Sequence, residues 1–161
     1  RELQRVAVEE TRMHIPLLFG YDVIHGMKTI FPINLGMSCS WDLQGIENSA
    51  RVAAREAIAS GLNWTFSPMV DITRDPRWGR TEESYGEDAF LTARLTVANI
   101  KGLQGDNPRY WRTAALMKHF LANSNEDRKT FRRLRSSGSG ARLQYGGSHR
   151  PHAARNLPAS V

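Results

Sequence analysis

The chain has 161 residues, 40% of them hydrophobic, enough for one domain with a core, and a formal net charge of +6. That charge points toward a nucleic-acid partner only until it is located. Residues 131–161 carry six of the 22 Lys and Arg and no acid, so residues 1–130 balance 16 basic against 16 acidic side chains. The lone Cys39 excludes an intramolecular disulfide, and no run approaches the roughly 18 apolar residues of a membrane span.

The predicted elements begin with an amphipathic helix over 1–12, where Leu3, Val6 and Val8 stand among charges. The chain starts without Met inside this helix-like segment, which reads as a start partway through a longer protein. The apolar run "IPLLFGYDV" at 15–23 has the look of a strand buried on both faces. Residues 40–61 read as a helix, with Ser40 or Asp42 as its cap and Gly61 as its stop. A second strand is expected over 62–70. A second long helix follows over 86–105, with acids in its first turn and Gly102 and Gly105 near its end. "RTAALMKHF" at 112–120 makes the third strand.

Strand and helix alternate, and each helix is long enough for a right-handed crossover, so the expected sheet is parallel. Asp22, Asp71 and the pair Lys118 and His119 fall at the C-terminal ends of the three strands. Both a (β/α)8 barrel and a doubly wound sheet carry ligands at that end. A whole barrel takes about 250 residues, so three strands are at most half of one. After residue 130 no apolar period persists, and composition predicts a disordered basic tail over 131–161. Codons exist for 131–135 that, read one nucleotide later, encode the acidic run Ser-Asp-Asp-Phe-Asp; a frameshift is therefore one reading of this tail.

Between the second strand and the second helix lies "RDPRWGRTEESYGED" (74–88), with eight charged side chains and two aromatics in fifteen residues. Pro76 and Gly79 make it a loop. One reading is a rigid, internally paired cap. The other leaves an Arg and a carboxylate aimed at a polar ligand, with Asp75 and Glu87 as supports. A lone strand-end Asp such as Asp22 is commonly a helix cap or turn former and less often a ligand group. Lys118 beside His119 suits a hydroxyl-rich neutral ligand or a phosphate, although no glycine-rich phosphate cradle accompanies them. His14, His25 and His119 are scattered and lack metal-ligand spacing, so neither metal nor cofactor is expected. Cys39 reads as a packing residue. Trp41, Trp64, Trp78 and Trp111 suit either core packing or stacking on sugar faces.

"PLLFGYDVIHG", "TIFPINLGMSCSWD", "SPMVDITRDPRWGRTEESYGED" and "MKHFLAN" together resemble the N-terminal barrel of glycoside hydrolase family 3, β-glucosidase type, from about residue 3 to 130. The resemblance implies a partial (β/α)8 TIM barrel, truncated at both ends, acting on a β-glucoside or oligosaccharide by retaining hydrolysis. It implies sugar-binding roles for Asp22, Arg80, Lys118 and His119, and a supporting role for Glu83. Neither catalytic carboxylate is expected in this chain: the family's nucleophile lies in a Ser-Asp-Trp-like motif downstream of the Lys-His pair, and its acid/base Glu comes from a further domain. "LANSNED" after the pair, in place of a Gly-His-Gly loop, favours a glucosidase or xylosidase over a hexosaminidase, with Glu126 and Arg128 in a loop that often reaches the sugar. The resemblance also fits a periplasmic or extracellular protein. The alternatives are a β-xylosidase, a non-catalytic sugar-binding module, or a nucleic-acid binder acting through the tail.

Overall fold

A computed structural model describes residues 1–120 and residue 123. The tail expectations for 131–161, and those for Glu126 and Arg128, lie outside the described residues.

The first predicted helix forms as a short α1 (Glu2–Arg5) that widens into a π-helical turn at Val6–Glu10. Arg5 stitches this piece together through Glu2 at 2.7 Å, Glu10 at 2.8 Å and Glu9 at 3.3 Å. The three predicted strands pair as a parallel sheet in chain order: β1 (Gly20–Tyr21), β2 (Trp64–Thr65) and β3 (Ala114–Ala115). Gly20 faces Trp64 and Trp64 faces Ala114, so the register is level across all three.

The regular ladders are shorter than the apolar runs. Beyond Thr65 the second strand spends one more residue than the third before pairing resumes between Met69 and Lys118. Leu116 N donates to both the Thr65 and Ser67 carbonyls, at 3.1 and 3.0 Å, across this bulge. Pro68, which has no N–H to give a ladder, sits inside it. Pairing then continues, with Lys118 N donating to Pro68 O at 3.1 Å and Val70 N to Lys118 O at 2.8 Å.

The expectation that 15–23 is buried on both faces is not met. Ile15, Leu17, Leu18 and Tyr21 are exposed; the first three precede β1, which among the described residues is a sheet edge with a neighbour on one side only. Hydrophobicity marks a segment fit for burial, but burial needs a second surface.

The core lies instead between the two long helices. α3 (Leu43–Ala59) and α4 (Ala89–Gln104) follow the short α2 (Asn34–Ser38), which the sequence reading lacked. Asp42, not Ser40, caps α3 by accepting from Gly45 N at 2.9 Å, and Asp88 caps α4 by accepting from Leu91 N at 2.6 Å. Met37, Ile46, Tyr85, Leu95 and Ala98 form one buried cluster; Ala50, Ala54 and Leu103 form another. Gly102, expected near a helix stop, lies within α4 at its crossing with α3. A Cβ there would come within 2.6 Å of Ala50 Cβ and 3.0 Å of Arg51 N, so the close approach of the helices depends on glycine. Gly105, at φ 80°, is the residue that ends the helix.

Candidate functional site

Three segments far apart in sequence meet where the strands end. Asp22 is the first residue past β1, and Lys118 and His119 follow β3. Lys118 Nζ is hydrogen-bonded and ion-paired to Asp22 Oδ1, joining the outer strands over the end of β2. The lysine is the sheltered partner at 13% side-chain exposure, while Asp22 stands 57% exposed toward the open side. The Lys118–His119 peptide is cis, and both side chains reach this rim.

The loop 74–88 supplies the next group. Arg80 closes a two-point fork on Glu83: Nε donates to Oε1 and Nη2 to Oε2, each at 2.7 Å. Both side chains are about one-fifth exposed. These hydrogen bonds from Arg80 hold the Glu83 carboxyl below its ordinary range; partial burial opposes them, and the Arg80 and Lys118 charges add to the lowering. Glu83 lies in a 3-10 turn, Thr81–Glu83, that the sequence reading did not contain. The turn is tied inward by Asn34 Nδ2 donating to Glu83 O at 2.8 Å. Beside it, Thr73 Oγ1 donates to Ser84 Oγ at 2.6 Å.

His119 connects the loop to the strands. Its Nε2 lies 3.0 Å from Arg80 Nη1, and its Nδ1 lies 2.8 Å from Asp71 Oδ2. Thus Asp22, Arg80, Lys118, His119 and Glu83 are brought together, and Asp71 joins them. The sequence signal for Asp71 was its place at a strand end.

Other candidates fall elsewhere. Asp75 holds Arg77, with its carboxylate accepting from Nη2 at 2.7 Å and Nε at 2.9 Å. Glu87 is exposed and makes no ion pair among the described residues, so the support expected from it is not seen. His25 Nδ1 lies 2.7 Å from the Phe31 carbonyl and closes its own loop. Cys39 is exposed rather than packed. Trp64 packs edge-on against Phe66 with ring centroids 4.9 Å apart, whereas Trp41 and Trp111 are exposed. Among the described residues no three His, Cys, Asp or Glu side chains gather as a metal site, and no helix is long and apolar enough to cross a membrane.

Chemically, the rim offers alternating donors and acceptors in a nearly charge-balanced set. A phosphate would have to displace carboxylates already seated on Lys118 and Arg80. A neutral polyol can interleave its hydroxyls with both kinds of group, which suits this set better.

Residues 1–134 match the family model described as the glycosyl hydrolase family 3 N-terminal domain. The chain is 45% identical over 124 residues to a periplasmic β-glucosidase of Salmonella typhimurium, covering 76% of this chain and 16% of that protein. It is 34% identical over 133 residues to a β-xylosidase of Formosa agariphila, covering 74% of this chain and 18% of that one. Among solved structures it resembles the β-glucosidase from Listeria innocua in complex with glucose, at TM-score 0.69 and 49% identity, covering 73% of this chain and 17% of that one. The chain therefore spans less than one-fifth of the length of each of these relatives.

Proposed function

We propose that this chain, which belongs to glycosyl hydrolase family 3, forms the sugar-gripping part of a retaining β-glucosidase. The observation that carries the proposal is the meeting of Asp22, Arg80, Lys118 and His119 on one rim from three distant segments. In this reading Asp22 accepts from hydroxyls of a terminal β-D-glucosyl residue, and Lys118 donates to its oxygens. Arg80 and His119 bind further hydroxyls, and Glu83 orients Arg80. Such contacts tighten as the ring approaches an oxocarbenium-like transition state and contribute several kcal/mol there.

The parallel sheet with helices between its strands fits one portion of a (β/α)8 barrel, and the chain spans 16% of the length of the Salmonella relative. Residues 1–130 are assigned to that portion and 131–161 to a separate basic tail. Sequencing the encoding DNA through codon 130 in all frames tests the frameshift origin of the tail. The catalytic carboxylates are assigned to segments outside this chain, so little or no hydrolysis is expected from it alone. Release of nitrophenol from a β-glucoside analogue, lost on Asp22→Ala, would contradict that. The Salmonella relative supports a periplasmic location for the parent protein.

The direct test is calorimetric titration of the 161-residue chain with glucose. Saturable binding that is insensitive to salt and lost in both Asp22→Ala and Lys118→Ala supports the proposal. Binding to nucleic acid that falls steeply with salt, with no response to sugar, would replace it. The Formosa relative favours one second reading, a β-xylosidase, and tighter binding of xylose than glucose would select it.

A further inference from the structure

Asp71 has no assigned role in the reading above, yet it is the most enclosed carboxylate of the rim, with 8% side-chain exposure. The pairing of Met69 with Lys118 carries it alongside His119. Its Oδ2 lies within hydrogen-bond reach of two His119 atoms, the backbone N at 3.2 Å and Nδ1 at 2.8 Å. A carboxylate oxygen only accepts, so Nδ1 must carry a proton. On the far side of the ring, Arg80 Nη1 lies 3.0 Å from Nε2, and a guanidinium only donates. Nε2 must therefore be a bare acceptor. One form of the ring satisfies both neighbours: neutral, with its proton on Nδ1.

We infer that Asp71 is a positioning residue that locks His119 in the Nδ1–H tautomer and thereby fixes Nε2 as the acceptor that orients Arg80. The inference deepens the sugar-binding reading and rests on it for its functional consequence, though not for its geometry. A chain of fixed polarity runs from Asp71 through the imidazole to Arg80 and on to Glu83, each donor facing an acceptor. Among the described residues, Asp71 supplies the acceptor that selects Nδ1–H on that side. An Nε2–H ring would set a donor against the Arg80 donor and push the guanidinium off its fork with Glu83.

The test has a readout that general destabilisation would not move. In the ¹⁵N-labelled 161-residue chain at neutral pH, long-range ¹H–¹⁵N correlation should show His119 with a pyrrole-type Nδ1 and a pyridine-type Nε2. Asp71→Ala should move the population toward Nε2–H and weaken glucose binding about tenfold or more. Asp71→Asn, whose amide oxygen can still accept, should keep much of the Nδ1–H form and part of the affinity. A wild-type His119 in the Nε2–H form, or an unchanged tautomer in Asp71→Ala, overturns the inference. Should Asp71→Ala fail to fold, the wild-type and Asp71→Asn spectra decide. A locked tautomer in a chain that binds no sugar supports the lock and refutes the sugar-binding reading.

Discussion

Replacing Glu83 by Gln isolates the fork that holds Arg80. The side chain keeps its shape and one acceptor oxygen, but its amide N–H now faces a guanidinium N–H. Two charge-assisted hydrogen bonds at 2.7 Å become one, with a donor–donor contact added. An exposed ion pair is worth about 0–1 kcal/mol, and breaking a buried one costs about 3–5 kcal/mol. With both side chains about one-fifth exposed, the expected loss lies between these limits, near 2 kcal/mol. That corresponds to a fall in Tm of roughly 8 °C for a folded unit of this size. Urea unfolding should show a lower midpoint with an unchanged slope.

The same fork gives a pH signature. Arg80 holds the folded Glu83 carboxyl below its ordinary 4.5, so the folded state favours the ionised form. The resulting stability is fully present above about 4.5 and is lost as pH falls through the lowered folded value. Wild type should therefore lose more stability on acidification below 4.5 than Glu83→Gln, and the two curves should converge at low pH. A variant within about 0.5 kcal/mol of wild type at neutral pH, or parallel acid profiles, would refute the reasoning.

Gly102→Ala should destabilise by about 1 kcal/mol or more in urea, since overpacking against the Glu47 carbonyl oxygen and Ala50 costs more than the helix propensity gained; a higher midpoint would show that the helices can part freely. Asp42→Ala and Asp88→Ala should each cost about 1 kcal/mol by removing an N-cap, measured by thermal melting, and no loss would mean that water replaces the cap. Glu56 accepts from the Thr29 hydroxyl at 2.6 Å and from the Lys28 and Thr29 amides at 2.8 Å. The Thr29 hydroxyl bond, followed by the two amide bonds, holds its carboxyl below 4.5. Glu56→Ala should speed hydrogen exchange at those two amides. In wild type their protection should persist above 4.5 and fade as pH drops through the lowered value; exchange unchanged by the substitution would show that Glu56 does not anchor the loop.

The long helices were legible because their signals are local: a capping acid, an apolar face and a glycine beyond the end. The strands were legible as apolar runs but not in length, since a single proline-bearing bulge at 66–68 interrupts the ladder and only the partner strand reveals it. Of the candidate site, the family motifs singled out Asp22, Arg80, Lys118, His119 and Glu83, which the structure brings onto one rim. Asp71 showed only as a polar strand end, because its partner stands 48 residues away and the contact depends on register. Conversely, the exposed Leu17 and Leu18 looked buried in sequence, because a run of apolar letters carries no information about what covers it.

The pairing pattern bears on which roles the rim carboxylates can take. Retaining hydrolysis needs one carboxylate to attack and another carboxyl group to give up a proton, about 5 Å apart. Each rim carboxylate among the described residues is already committed: Asp22 to Lys118, Glu83 to Arg80, Asp71 to His119. A carboxylate forked onto a guanidinium is a poor nucleophile, because attack would require surrendering both hydrogen bonds. A proton donor must instead hold its proton near neutral pH, and Arg80 pushes Glu83 the other way. Asp22 is the most exposed of the three and has a single flexible ammonium as its partner, so it is the one an incoming hydroxyl can share. Its exposure suits it to accepting hydrogen bonds from a polar ligand, whereas Glu83 and Asp71 are seated where they hold Arg80 and His119 in place.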